Sequence, residues 1–446
     1  MNIVPGNVEV SVVGLGYVGL PTALSFHEAG FVVNGIDISE EVVSSIKSGN
    51  IPFTDGGANL SIPSNSNRWS VTSEFEKPIF NSDIVMITVP TPVNKSKEPD
   101  LSYVISASRS VLDSLDRDST TIITLESTVF PGVTRRELGN ICNELSLSLG
   151  EQVVLAYSPE RVSPGDPLRT VDRVARIVGC DDPVTGEYLA DLYSFITSEK
   201  STYVGKIEVA EASKLIENVQ RDIDIALCNE LSIILPKIGL DVEEVLIAAS
   251  TKWNFHRHRP GIGVGGHCIP VDPYYYLDLS KKLGKFSELS SAARKINESM
   301  PSSSAMEILQ ILEDSGVKSP KILVMGYSYK PETGDTRETP VLELTNVLSS
   351  SGAQVLVWDP FVGNRDFPEW VIPIEDPLEI SNLDMVVIAT SHNMVKEIDW
   401  KGMVENCRDA RVYDGRRDLE PSEMESMGWS YFGVGYPRVG FDSRKN

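Results

Sequence analysis

The stretch GVGGHCIPVDPYYYL, Gly263 to Leu277, sets a cysteine behind two glycines and a histidine, with an aspartate four residues further on. Cys268 could there be a redox thiol, a metal ligand, a nucleophile or part of a packed turn. As a nucleophile its thiolate would add to a carbonyl carbon, activated by positive charge from His267 or a lysine, with Asp272 as a nearby carboxylate. The glycines would let backbone and ligand approach closely, and Tyr274 to Tyr276 would begin a packed helix. As a metal ligand Cys268 would draw on His256, His258 and His267, but no C-x-x-C or H-E-x-x-H spacing fixes such a set, and no metal is expected.

A second group lies in KIEVAEASKLIENVQRDIDIALCNELSIILPKIGLD, where Lys214 and Asn218 stand four apart, with Glu211 and Arg221 on adjoining positions. On a helix these project together. They are either a solvated polar face or a pair of donors for a developing oxyanion. A third group is Gly14-Leu15-Gly16-Tyr17-Val18-Gly19, entered from the apolar run Val8 to Val13 and followed by a helical pattern from Leu20. Such glycines allow a tight turn and close approach to a pyrophosphate at a helix N-terminus. The next apolar run, Phe31 to Ile36, ends at Asp37, the spacing at which a carboxylate takes the adenosine ribose hydroxyls and repels a 2′-phosphate. With ISEE following and no arginine, the expected cofactor is NAD rather than NADP. Pro90 and Thr91, in the VPTP run, would stand at the same sheet edge.

The elements that must position these groups fall into three blocks. In residues 1–204, the runs VEVSVVGLG, FVVNGID, SDIVMITVP, STTIITLEST and VVLAYSPE alternate with helical patterns, as in a parallel sheet with helices on both faces. Residues 205–300 read as helical. There Ala212, Leu215, Val219, Ile223, Leu227, Leu231 and Ile234 recur at spacings of three or four, a face that a helix would bury. Residues 318–446 repeat the first block in outline with PKILVMGYSYK, GAQVLVWDP, LDMVVIATSH and DARVYDGR. The expected fold class is α/β, two Rossmann-like doubly wound domains joined by a central helical dimerisation segment; SRKN at the end reads as frayed.

A chain of 446 residues is long enough for two or three domains. A formal net charge of -23 argues against nucleic-acid and anionic-membrane partners, so an anionic ligand would be met by a few placed cations and backbone N–H groups. The cysteines, at 142, 180, 228, 268 and 407, are odd in number and widely spaced, which suits a reducing cytoplasm better than a disulfide framework. No apolar run approaches a membrane span.

The motifs GLGYVGLP, SPER at Ser158 to Arg161, VAEASKLIEN, GGHCIPVDP and GYSYKPETGDTRETP occur in order over nearly the whole chain. Together they resemble the UDP-glucose/GDP-mannose dehydrogenase family. The resemblance implies oxidation of a nucleotide sugar at C6, from alcohol through aldehyde to carboxylate, with two NAD consumed. It implies that Cys268 forms a thiohemiacetal and then a thioester, and that Lys214 and Asn218 stabilise the oxyanion. Asp272 would assist a water or base step, Glu160 would serve thioester hydrolysis, and Thr128 of ESTVFPG would position water beside the nicotinamide. Lys330 matches a substrate-binding lysine and Arg337 an arginine reaching the cofactor; their alternative is a salt bridge between domains.

Where family members acting on UDP-glucose usually carry a second glutamate, SPERVSPGD has Pro164. Arg161, Pro164 and Gly165, with KWNFHRHRPG and IENVQRD, are more similar to the branch oxidising UDP-N-acetylhexosamines for surface glycans. Substrate contacts are accordingly expected from Arg161, Val162, Arg221, Arg259 and Gly261, beside Glu160, Lys214, Asn218 and Lys330. UDP-glucose is the alternative substrate. A non-catalytic nucleotide-sugar or metal-binding protein is the alternative of another class, disfavoured because Cys268, Lys214, Asn218 and Asp272 are all present. The long helix also predicts a homodimer or dimer-based oligomer.

Overall fold

A computed structural model describes residues 3–53, 60–64, 66–161, 170–363 and 366–438. The chain forms two compact units, Met1–Glu217 with Tyr274–Lys285, and Asn218–Pro273 with Phe286–Asn446.

The first unit is built on an eight-stranded sheet. Its strands are β1 Glu9–Val13, β2 Val32–Ile36, β3 Trp69–Thr72, β4 Ile84–Ile87, β5 Thr121–Leu125, β6 Val153–Tyr157, β7 Ile177–Cys180 and β8 Thr202–Gly205. They lie in the order β3-β2-β1-β4-β5-β6-β7-β8. Val10, Val12, Ile84, Val85, Met86 and Ile87 are all fully buried, because helices cover both faces and both sets of alternating side chains point into packed layers. Every pairing is parallel except β6 with β7. That antiparallel pair is a departure from the purely parallel sheet expected, and an antiparallel neighbour needs no helical crossover. The order reverses between β1 and β4, and this switch point opens the crevice that holds ligands in such sheets.

The second unit carries a six-stranded, all-parallel sheet, in the order β11-β10-β9-β12-β13-β14. The strands are β9 Lys321–Met325, β10 Gln354–Trp358, β11 Ile372–Pro373, β12 Met385–Ile388, β13 Arg411–Asp414 and β14 Ser430–Gly433. Read in chain order, this repeats the first six strands of the other sheet, and the turns repeat as well. Gly14 N–H donates to the Ile36 carbonyl at 2.8 Å, and Gly326 N–H to the Trp358 carbonyl at 2.7 Å. Leu15 N–H donates to Asp37 Oδ2 at 2.7 Å, and Tyr327 N–H to Asp359 Oδ2 at 2.6 Å. The duplication stops there. A helix, Gly19–Glu28, opens directly behind the first turn, whereas after β9 the next helix is Pro340–Ser350, so residues 326–339 form a long loop instead.

Between the two sheets in the chain lies a helical segment led by a 28-residue helix, Ile207–Ile234, whose first part belongs to the first unit and the remainder to the second. The predicted apolar face is only partly buried. Leu215 and Val219 are buried and Ala212, Ile223 and Leu231 half-buried, while Leu227 and Ile234 are exposed. Asp272–Lys282 forms the helix expected at the tyrosines, with Tyr275 fully buried. Among the described residues no helix is long and apolar enough to cross a membrane.

Candidate active site

The cofactor cradle in the first unit follows from two glycines. Gly14 has φ +94, and a Cβ there would sit 3.0 Å from the Thr88 carbonyl oxygen. A methyl on Gly19 would run into the Gly14 carbonyl oxygen and the Thr88 hydroxyl. That hydroxyl ties the turn down, donating to the Val13 and Gly14 carbonyls at 3.0 and 2.7 Å. Gly16 is exposed, Tyr17 and Val18 are half-buried, and the Leu15 side chain is buried, so Leu15 serves through its N–H alone. Asp37 accepts from Leu15 N–H and, at 2.9 Å, from Ser39 N–H, which holds a half-buried carboxylate at the crevice. Past β4, Pro90 is exposed and Thr91 half-buried. Glycine backbone at a helix N-terminus, with a half-buried carboxylate just past the next strand and no arginine among Ile38 to Glu41, fits NAD.

Further along the same edge, β5 leads into Glu126-Ser127-Thr128 and β6 into Ser158-Pro159-Glu160. Ser127 Oγ donates to the Val89 carbonyl at 2.6 Å, and Thr128 is buried beside it in sequence. Lys214 reaches Glu160 from the long helix. Its Nζ donates to the Glu160 carbonyl at 2.7 Å and lies 3.2 Å from Glu160 Oε1, with both side chains buried. One turn earlier, the fully buried Glu211 carboxylate accepts from Gly132 N–H at 2.5 Å and Thr134 N–H at 2.9 Å, pinning the loop that follows Thr128. Burial pushes the Glu211 carboxyl above its usual range despite those two N–H donors. Arg161 forks onto Glu217, with Nη2 at 2.8 Å and Nε at 3.1 Å. Val162, like Pro164 and Gly165, lies outside the described residues.

In the second unit, Asn218 Nδ2 donates to Asp272 Oδ2 at 2.5 Å, and both residues are buried. Asp272 N–H and Val271 N–H return to the Cys268 carbonyl at 2.8 and 3.1 Å, a tight turn that joins the cysteine loop to the helix beginning at Asp272. Cys268 is half-buried. The thiols of Cys142 and Cys407 are pushed up to about 11, chiefly by burial, and those of Cys180 and Cys228 are raised for the same reason, which makes them poor nucleophiles.

The loop glycines also pack closely against the loop after β9. A Cβ on Gly265 would meet Tyr329 Cβ at 2.7 Å and the Glu338 carbonyl at 2.8 Å, and one on Gly266 would meet the Tyr329 ring at 2.7 Å. They admit Tyr329 and the chain at Glu338. Arg259 is held by Asp418 at 2.8 Å and Glu243 at 3.2 Å. Gly261 N–H donates to Asn229 Oδ1 at 3.0 Å, and Arg221 is half-buried. Lys330 is half-buried in the loop after β9, and Arg337 is exposed there, its guanidinium 2.5 Å from Asp335.

One cation was missed by sequence reasoning. Arg416, past the end of β13, donates from Nε to the Ala389 carbonyl at 2.6 Å, while its buried Nη2 has no hydrogen-bond partner among the described residues. Burial lowers its pKa, against the pull of Asp418 and Asp414. A guanidinium so placed at the carboxyl edge of a parallel sheet suits an anionic ligand, and the DGRR run at a strand end was the available signal. Among the described residues no group of three His, Cys, Asp or Glu could hold a metal ion.

A glycine cradle at one sheet's switch point and a second parallel sheet with cations at its carboxyl edge define a nicotinamide-dependent oxidoreductase with a separate domain for an anionic substrate. Models of the UDP-glucose/GDP-mannose dehydrogenase family match three segments: its NAD binding domain at residues 8–197, its central domain at 208–299 and its UDP binding domain at 323–421. The chain belongs to this family and is an NAD-dependent nucleotide-sugar dehydrogenase. It is 33% identical to a UDP-N-acetyl-D-glucosamine 6-dehydrogenase of Salmonella typhi over 94% of this chain and 98% of that one. A UDP-D-ManNAc dehydrogenase from Pyrococcus horikoshii superposes with a TM-score of 0.84 at 32% identity, covering 97% of this chain and 100% of that one. A UDP-glucose dehydrogenase from Pyrobaculum islandicum gives 0.85 at 27% identity, covering 98% and 100%.

Proposed function

We propose that the chain oxidises the C6 alcohol of a UDP-N-acetylhexosamine, of glucosamine or mannosamine type, to the carboxylate. When bound, NAD accepts the hydride in each of the two oxidations. Cys268 adds its thiolate to the C6 aldehyde, forming a C–S bond and an alkoxide that Lys214 and Asn218 meet with N–H donors. The resulting thiohemiacetal keeps the aldehyde from escaping; its oxidation leaves a thioester. Glu160 directs a water, positioned with Thr128, onto that carbonyl, and the C–S bond breaks to return the thiol and release the acid. Asp272 serves as the proton acceptor beside Asn218. The observation that carries this reading is that one helix presents Lys214 and Asn218 a turn apart, each bonded to a buried carboxylate, Glu160 and Asp272 respectively.

The sugar is argued from the names of the Salmonella and Pyrococcus relatives and from Pro164. The fold alone does not choose, since the Pyrobaculum structure named for UDP-glucose superposes as well. Substrate contacts are assigned to Arg161, Val162, Arg221, Arg259, Gly261 and Lys330, and Arg337 to the cofactor. Apart from Arg337, the cofactor belongs to residues 1–204, the cysteine loop and dimer contacts to 205–300 and the UDP moiety to 318–446. Exposed Leu227, Ile233, Ile234, Ile247 and Trp253 support a homodimer, and the free thiols support a cytoplasmic setting, where the product would feed surface-glycan assembly. Light scattering should then return a mass twice the 49.0 kDa of the chain.

A panel of UDP-sugars tests the function. The expected result is two NADH per molecule of a UDP-N-acetylhexosamine consumed; NADH from UDP-glucose alone would overturn the choice of sugar.

A further inference from the structure

The residue before Ser127 and Thr128 is a buried carboxylate that the proposed chemistry does not use. Glu126 Oε2 accepts from Arg176 Nη1 at 2.5 Å and Oε1 from the Tyr193 hydroxyl at 2.7 Å. Arg176 Nη2 donates to Thr22 Oγ1 at 2.8 Å, and the guanidinium lies 4.9 Å from the centre of the Tyr193 ring. None of the four side chains is exposed: Thr22 and Tyr193 are at 0%, Glu126 at 1% and Arg176 at 2%. Burial works against the charge on Arg176, and Glu126, then Tyr193 and at longer range Glu160, outweigh it.

A buried ion pair adds little stability over apolar residues of the same volume. What it does impose is a single geometry, and the elements it joins are informative. Thr22 lies on the helix Gly19–Glu28, one turn past the glycine that bears on Gly14. Glu126 lies at the end of β5, where its N–H donates to the Ile87 carbonyl of β4 at 2.9 Å. Asp37, on the β2 side, marks the adenosine half of the cofactor, so the nicotinamide half falls over the ends of β4 and β5. The network therefore spans from the helix of the cradle to the strand end that carries Thr128.

We propose that the Glu126–Arg176 pair, braced by Tyr193 and Thr22, is a positioning device for the nicotinamide half of NAD: it fixes the strand end carrying Thr128 relative to the glycine-turn helix without touching the cofactor. This rests on the reading that Thr128 adjoins the nicotinamide. Glu126→Gln and Arg176→Lys are to be titrated with NADH and with ADP-ribose, which has the adenosine, pyrophosphate and second ribose but no nicotinamide. Both variants should lose about tenfold in NADH affinity, and most of the fluorescence gain of bound NADH, with ADP-ribose affinity held within about twofold. Tyr193→Phe removes one hydroxyl and should move NADH alone by about fivefold. Parallel weakening of both ligands, or no change in either, overturns the proposal. Should the charge variants not fold, Tyr193→Phe and Thr22→Val decide by the same criterion. Thr128→Val separates the two ideas. If it alters bound-NADH fluorescence while the network variants do not, the positioning role fails and the placement of Thr128 stands. If none of them does, both fail. Neither ligand contains a hexose, so the choice of sugar does not enter.

Discussion

Replacing Asn218 by aspartate leaves the shape of the site nearly unchanged and reverses its electrostatics. The amide N–H that now reaches Asp272 over 2.5 Å would give way to a second carboxylate in a place where Asn218 is 8% and Asp272 1% exposed. With an effective permittivity of about 20, two charges at that separation repel by about 6 to 7 kcal/mol. If relaxation halves this, about 3 kcal/mol remains, about two pK units, and the upper apparent pKa of the new carboxylate pair lies well above the ordinary carboxylate range. Below that value the pair keeps one proton, which can stand where the amide hydrogen stood. Above it the proton is lost, and with it the donor. Because the folded-state value is raised, the variant also loses stability as pH rises through it. Initial rates of NADH formation for Asn218→Asp should therefore fall across about pH 6 to 7, to a kcat about 10²- to 10³-fold below the parent. Asn218→Ala, with no proton to exchange, should be low throughout. Identical pH profiles for the two variants would refute the reasoning.

Cys268→Ser should abolish net acid formation while NAD affinity, measured by titration, stays within about twofold; undiminished acid production would remove the thiol from the reaction. Glu211 has a folded-state pKa raised by burial, so its contribution to stability is greatest below about pH 4.5 and is lost as pH rises through the folded value. Melting temperatures of the parent and Glu211→Gln should diverge in the variant's favour as pH is raised from about 4.5; a gap independent of pH would exclude that titration. Gly19→Ala should prevent NADH binding and destabilise the first unit by several kcal/mol, about the cost of overpacking, read by titration and denaturant melts.

The central strands were legible because most are apolar on both faces: β4 and β12 are continuous Val, Ile and Met runs, and β1, β5 and β9 are Val-, Ile- and Leu-rich with only Glu9, Ser11, Thr121, Thr124 and Lys321 breaking in. Those that escaped were WSVT, TYVG, IP and SYFG, which form the sheet edges β3, β8, β11 and β14, together with IVGC at β7. Each is short; WSVT, TYVG and SYFG mix in Ser or Thr, while IP and IVGC are interrupted by proline or glycine. The cradle was readable since Gly14, Gly19 and Asp37 are local to one turn and the strand beside it. The contacts of Lys214 with Glu160 and of Asn218 with Asp272 each bridge 54 positions, and no spacing rule reports such a separation; only the family resemblance brought them together. Glu126 and Arg176 are 50 apart, and without a motif to carry them they stayed invisible. Gly265 and Gly266 announce a close approach, but nothing in their spacing points to Tyr329 as a residue that makes one.

The duplicated turn runs straight into a helix at Gly19 after β1, whereas after β9 Ser328 stands where Gly16 does and no helix follows until Pro340. Among the described residues there is thus one glycine-turn berth for a dinucleotide, although the proposed reaction uses two. Spent cofactor must leave and fresh cofactor enter while the half-oxidised carbon waits, so residence time sets the requirement on the sulfur bond: it has to outlast an exchange of cofactor. A variant that slowed NADH departure would then accumulate sugar on the cysteine rather than release aldehyde, a species whose mass on the intact chain can be weighed.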